Sequence, residues 1–393
     1  MSAPAAGAAR PVPLLDLDTQ RRRLEPALAA AIARVFDHGR FIQGPEVREL
    51  ETRLAHFCGA RRAVTTASGA AALQLVLMAR GIGPGDAVLC PAFTFCATAE
   101  AAALTGATPV FVDVDRDTFN MDAGSLARGA ETARRLGLRV RAVVPVDLFG
   151  HPADYDALAA VAGEARAFVL ADGAQSFGAA RRGRRVGTLA PATAVSFYPS
   201  KPLGCYGDGG AVITDDDALA ETIASLREHG RGAHACDHVR IGLTARLDTL
   251  QAAVLLIRLD AFPAEIAARN RIARRYTGAL ADVVAVPVVS PDVEPVWALY
   301  TLRVDGGHRD RVAAALRAEG IDTAIHYPRP LHRQPAYRHF PVADGGAPVA
   351  ERLADEVLSL PLYPDLSEAD QARVIDAVRR AVGRGSRRAP HGP

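Results

Sequence analysis

Short apolar runs alternate with amphipathic helical stretches from residue 63 to residue 228, and no other feature limits the fold of this chain so tightly. Residues 63–67, 87–90, 108–112, 140–146, 167–171, 192–197 and 211–214 read as strands. Residues 70–79, 97–104, 154–162 and 217–228 read as the helices between them. The runs are apolar throughout instead of alternating with polar residues, as strands are when both faces of a sheet are covered. A mainly parallel sheet with helices on both faces is the expected α/β architecture. Two amphipathic helices precede it, at 24–37 and 46–58. Past it, 248–280 reads as long helices broken at Pro263, because proline lacks the N–H an inner helical turn needs. The pattern then changes to strand 297–304, helix 309–318, strand 322–326, helix 348–357 and helix 367–382. We therefore expect a large sheet domain over 14–260 and a smaller α+β C-terminal domain over 261–382. The flanks 1–13 and 383–393 are Ala/Pro- and Gly/Arg-rich, and are expected to be disordered.

Composition removes several function classes. With 46 Lys and Arg against 44 Asp and Glu, the net charge of +2 is too small for a broad phosphate-binding surface. The five cysteines are widely spaced with no CxxC pair, which reads as reduced thiols. No apolar stretch reaches the ~18–20 residues of a membrane helix, and the N-terminus lacks a signal peptide's apolar core. A cytoplasmic protein is expected.

Lys201 is the only lysine in the chain; the other 45 basic residues are arginine. It follows a strand directly and precedes a Gly-rich turn (Gly204, Gly207, Gly209, Gly210). Lysine can condense with an aldehyde to a reversible imine, whereas a guanidinium stays protonated. A plain loop lysine is the alternative, and composition alone leaves the two balanced. Asp172 ends the run 168–172, at the carboxyl edge where parallel sheets bind ligands. It could pair with the pyridine nitrogen of pyridoxal phosphate, with Gln175 on the ring hydroxyl; an ordinary turn or cap aspartate is the simpler alternative. Ser68-Gly69-Ala70 joins a strand to a helix start, where free N–H groups and the helix dipole favour an anion such as phosphate. Phe93 and Phe95, on a loop past a strand, could stack on a planar ring or pack in the core. No GxGxxG or Walker loop is present. The run His234 to His238 has metal-ligand residue types without matching distant ligands, so no metal site is expected.

Taken in order, these segments resemble the DegT/DnrJ/EryC1/StrS family of sugar aminotransferases. The likeness runs from about Leu14 to Ala381 through GRFIQGPEV (39–47), ASGAAAL (67–73), PAFTFCATAEA (91–101), GATPVFVDVD (106–115), LADGAQSFGA (170–179), SFYPSKPLGCYGDGGAVIT (196–214) and GLTARLDTLQAA (242–253). With HYPRPLHRQPAY (326–337), it is closest to the branch acting on UDP-linked 3-keto-N-acetylglucosaminuronic acid.

The resemblance implies the aspartate-aminotransferase fold (fold type I) and pyridoxal 5′-phosphate (PLP), with pyridoxamine phosphate as the intermediate carrier. It implies Lys201 as the cofactor-bearing lysine and proton shuttle, Asp172 as the pyridinium partner, and Gln175 at the ring oxygen. Phe95 then stacks on the cofactor, while Ser68, Gly69, Ala70 and Ser196 hold the phosphate. Thr244 reaches the same phosphate from the neighbouring subunit of a homodimer with shared sites. Arg246, His326 and Tyr327 face the sugar nucleotide. Two positions depart from the family pattern: Ala70 where Thr is usual, and Thr244 where Asn is usual. Both imply a looser phosphate cup.

The expected activity is transfer of an amino group, from glutamate, to a ketone on a nucleotide-linked sugar in amino-sugar or secondary-metabolite biosynthesis. An aminocyclitol or other keto-sugar acceptor is the alternative substrate. A regulatory protein that kept the fold and lost catalysis is the alternative class, though no helix-turn-helix or basic domain supports it. The family's dehydratases carry His at the lysine position, which Lys201 opposes.

Overall fold

The computed structural model describes residues 10–234 and 236–386. The chain begins with α1 (Leu17–His38) and α2 (Pro45–Cys58), then alternates β1 (Arg62–Thr66), α3 (Gly69–Ala79), β2 (Asp86–Pro91), α4 (Ala97–Leu104), β3 (Thr108–Val112), α5 (Ala123–Arg135), β4 (Arg139–Val143), α6 (Tyr155–Glu164) and β5 (Phe168–Asp172). A short hairpin, β6 (Ala180–Arg181) and β7 (Arg184–Arg185), leads to β8 (Ala192–Ser196), β9 (Gly210–Thr214) and α7 (Asp217–Leu226). Next come α8 (Thr249–Leu280), β10 (Val293–Glu294), β11 (Tyr300–Arg303), α9 (Arg309–Ala318), α10 (Pro348–Glu356), β12 (Val357–Leu360) and α11 (Glu368–Ser386).

The expected sheet is present, with seven strands in the order β1-β9-β8-β5-β4-β2-β3. All its pairings are parallel except those of β9, which runs antiparallel to β1 and β8. Its strands are almost wholly buried, because helices cover both faces. One face packs on α3, α4 and α7 through Leu73, Val76, Ala99 and Ile223. On the other, α2 and α8 contribute Leu50, Leu54, Leu255 and Phe262, and α5 and α6 contribute Leu126 and Leu158. Consequently β1, β2, β5 and β8 present their carboxyl ends on one edge, and antiparallel β9 begins there.

Four local expectations are corrected. Pro263 does not break α8, which continues through it to Leu280. The first half of that helix is locked in the sheet core by Leu255, Leu259 and Phe262. The second half is locked in a separate core by Ile272, Tyr276 and Leu280, and burial at both ends outweighs the one hydrogen bond lost at proline. Residues 322–326 make only an isolated bridge, Ala324 to Ser359, and β11 pairs instead with β12, where the helix 348–357 had been expected to end. Of the flank 1–13, residues 1–9 lie outside the described residues, but Val12 is buried and hydrogen-bonded to Gly320 and Asp322. Val12 thus anchors the segment, with the Arg10 carbonyl accepting from Arg373 Nη1 at 2.8 Å. At the other end α11 reaches Ser386, past the expected stop at 382, and 387–393 lie outside the described residues. Among the described residues no helix is long and apolar enough to cross a membrane.

Candidate active site

At the carboxyl edge of the sheet lies a cavity of about 600 Å³. Ser68 ends the turn after β1 and caps α3 by accepting from Ala71 N at 3.0 Å. The N–H groups of Gly69 and Ala70 belong to the first helical turn and have no partner within the helix. Three backbone segments close on this turn. A Cβ on Gly69 would stand 2.7 Å from Ser196 Cβ, and one on Gly210 would stand 2.5 Å from Ser68 C and O. Only glycine lets β8, β9 and the start of α3 meet so closely. The result is a cup of unpaired N–H groups at a positive helix end, the environment a phosphate needs.

Asp172 ends β5 and is buried. Thr98 Oγ1 donates to its Oδ2 at 2.8 Å and Ala174 N to its Oδ1 at 3.2 Å. Burial raises the carboxyl above its ordinary range, while Thr98, Ala174 and the Lys201 ammonium pull it back part of the way. Lys201 is half-buried. Burial lowers its amine below the usual lysine range, and Asp172 offsets this in part. A partly desolvated lysine thus faces a carboxylate that its own charge stabilises.

Gln175 is buried with both ends of its amide engaged: Oε1 accepts from Phe149 N at 2.7 Å and Nε2 donates to Tyr327 Oη at 3.1 Å. Tyr327 lies beside Phe95, ring centroids 6.2 Å apart, and Phe95 remains 56% exposed at the cavity wall. His326 Nδ1 lies 3.2 Å from Ser359 Oγ, and burial together with the Lys201 charge lowers its pKa. The cavity therefore gathers Ser68, Gly69, Ala70, Phe95, Asp172, Gln175, Ser196, Lys201, His326 and Tyr327.

Thr244 and Arg246 are not among the residues lining it. Thr244 is exposed, with Oγ1 2.8 Å from His229 Nε2, and Arg246 is half-buried with its Nε unpaired. Sequence reasoning missed Thr98, although it lies inside the quoted run 91–101. It also missed Leu14, Leu15, Leu360 and Leu362, which form an apolar wall from both ends of the chain. His238 Nδ1 lies 2.9 Å from the carbonyl of His229. Among the described residues no three His, Cys, Asp or Glu stand close enough to hold a metal.

The cup, the buried Asp172 and the lysine fit a phosphorylated pyridine aldehyde: an anion site, a partner for a protonated ring nitrogen, and a primary amine in one cavity. Fold and cavity define a PLP-dependent aminotransferase of fold type I. The chain belongs to the DegT/DnrJ/EryC1/StrS aminotransferase family, whose profile matches residues 23–379. It is 46% identical over 361 residues to UDP-2-acetamido-2-deoxy-3-oxo-D-glucuronate aminotransferase of Pseudomonas aeruginosa, covering 91% of this chain and 97% of that one. It is 44% identical over 370 residues to dTDP-3-amino-3,4,6-trideoxy-alpha-D-glucose transaminase of Streptomyces venezuelae, covering 94% and 95%. Among solved structures, a DegT DnrJ EryC1 StrS aminotransferase from Brucella abortus matches with a TM-score of 0.92 at 48% identity, covering 94% of this chain and 99% of that one.

Proposed function

We propose that this chain moves an amino group from glutamate to the ketone of a nucleotide-linked sugar, with a UDP-linked 3-oxo-glucuronate derivative as the acceptor. The observation that carries the reading is the placement of Lys201 and Asp172 in one cavity beside the Ser68–Ala70 cup. The 46% identity to an aminotransferase of that substrate gives the acceptor class. In this reading the division of the chain into a large domain (14–260) and a small one (261–382) falls within α8, with the cavity between them.

PLP held in this cavity would supply an electron sink and a carrier for the amino group. The chain's own residues do the rest. Ser68, Gly69, Ala70 and Ser196 would hold the phosphate, Phe95 would cover the ring, and Gln175 would stand at the ring oxygen. Asp172 would set negative charge against the ring nitrogen; burial raises its carboxyl, while Thr98 and Ala174 favour its ionised form. Burial lowers the pKa of Lys201, which eases loss of its proton, so its Nζ would take a proton and return it. His326 and Tyr327 line the acceptor side. Thr244 and Arg246 stand outside the chain's own cavity, which fits a homodimer in which each reaches the neighbour's site: Thr244 the phosphate, Arg246 the sugar's carboxylate. Free thiols and the absence of a membrane-crossing helix among the described residues fit a cytoplasmic setting.

The test supplies PLP and glutamate with the 3-oxo UDP-sugar acid, and in parallel a 3-oxo dTDP-sugar without a carboxylate. Formation of 2-oxoglutarate and an aminated UDP-sugar supports the reading. Preference for the dTDP-sugar overturns the acceptor assignment, and turnover by Lys201→Arg overturns the role of the lysine.

A further inference from the structure

The loop that carries Lys201 is poor in its own hydrogen bonds. Pro199 and Pro202 have no N–H to give. Within the loop, Lys201 N donates to Tyr198 O at 2.8 Å, and Cys205 N closes it onto Phe197 O at 2.7 Å. At Gly204 the turn is so tight that a Cβ would stand 2.6 Å from Tyr198 O and 2.7 Å from Pro199 O. The carbonyls of Pro202 and Gly204 point into the interior, and among the described residues one side chain donates to both. Arg258 of α8, 1% exposed, donates through Nη1 to Gly204 O at 2.6 Å and through Nη2 to Pro202 O at 3.3 Å.

A buried guanidinium is costly unless its charge and donors are met. Glu265, about two turns further along α8 and 3% exposed, lies 3.5 Å from Arg258 Nη2. The same carboxylate accepts from Gln20 Nε2 at 2.9 and 2.8 Å and from Arg23 Nη2 at 2.7 Å. The counter-charge is thereby fixed by α1, and the guanidinium, planar and forked, spans two carbonyls that a lysine could not hold together. A hydrophobic residue of similar volume would spare the cost of burying charge but leave both carbonyls unpaired.

We propose that Arg258 is a positioning residue for Lys201, clamping the carbonyls on its C-terminal side so that the amine stays set against Asp172 before any ligand arrives. The consequence for catalysis rests on the reading of Lys201 given above; the clamp does not.

Because Lys201 is the chain's only lysine, an amine reagent reports directly on the loop. The ligand-free chain is reacted with trinitrobenzenesulfonate at fixed pH, well below its melting temperature, and Lys201 is separated from the α-amino group by peptide mass. Arg258→Met is expected to raise the Lys201 labelling rate about tenfold, because local opening becomes easier, and to weaken PLP binding by a similar factor. Arg258→Gln keeps two N–H donors without adding a second lysine, and is expected to fall between the two. It also stands in should the methionine chain fail to fold. A lowered melting temperature with unchanged labelling in these chains would mean a role in stability alone and overturn the proposal. If the natural chain takes up PLP away from Lys201, the functional reading fails, while the labelling comparison still decides the clamp.

Discussion

Thr98 Oγ1, in the first turn of α4, donates at 2.8 Å to Asp172 Oδ2 at the end of β5. It is one of the groups that draw the buried carboxyl back toward its ionised form. Thr98→Val keeps the shape and removes the donor, so the pKa of Asp172 rises further. The acid limb of the pH–rate profile is expected to move to higher pH and kcat to fall about tenfold, as for loss of a hydrogen bond to a charged group. An unmoved acid limb would show that Thr98 does not hold the charge.

Asp147 lies just behind Asp172, fully buried, and accepts from Ala153 N at 2.8 Å, Tyr155 Oη at 2.7 Å and Ser176 Oγ at 2.7 Å. Burial, opposed by those donors, raises its carboxyl from 3.8 to about 6. A raised native pKa means the folded chain binds the extra proton more tightly than the unfolded one. The stability this contributes is complete below about pH 4 and is lost as pH rises through about 6, amounting to roughly 3 kcal/mol at ~1.4 kcal/mol per unit. Asp147→Asn can accept twice through Oδ1 and donate to Ser176 Oγ. Unfolding measured from pH 4 to 7 should therefore shift in favour of the variant as pH rises; a constant difference would refute the assignment.

Ala70 offers the phosphate cup a backbone N–H but no side-chain donor. Ala70→Thr adds a hydroxyl at the cavity wall, and a hydrogen bond to an anion should tighten PLP binding about tenfold. Equilibrium dialysis of both chains measures this. Equal affinities would place the phosphate elsewhere.

Gly210 allows β9 to touch the start of α3. Gly210→Ala puts a methyl against Ser68, forces the two backbones apart, and is expected to cost about 1–3 kcal/mol of stability. PLP affinity should fall with it. Loss of stability with intact affinity would separate the contact from the cup.

Much of this was legible because it is written in contiguous residues. Short apolar runs buried on both faces announced the seven strands, and residues that line the cavity sit where those runs end: Ser68 after β1, Asp172 on β5, Lys201 after β8. A single lysine among 46 basic residues drew attention to itself, and the ordered motifs around it pointed to the same cofactor. By contrast α5 was not read as a helix, because small residues (Ala130, Ala133) make up most of its buried face. Leu126 is its one large apolar residue, and its Gly129 is needed because a Cβ there would stand 2.5 Å from Val112 Cγ1, a neighbour on another element.

What only the tertiary structure decided are partnerships across long separations. Thr98 meets Asp172, 74 residues on, and Arg258 meets Gly204, 54 residues back. Val12 is anchored beside residues 320–322, and Pro263 stays helical because both halves of α8 are buried in different cores. Propensity and periodicity describe a residue's own segment, so they can name the lysine and the carboxylate. Which groups hold that pair in place depends on elements brought together by burial of the whole chain, and no local pattern encodes it.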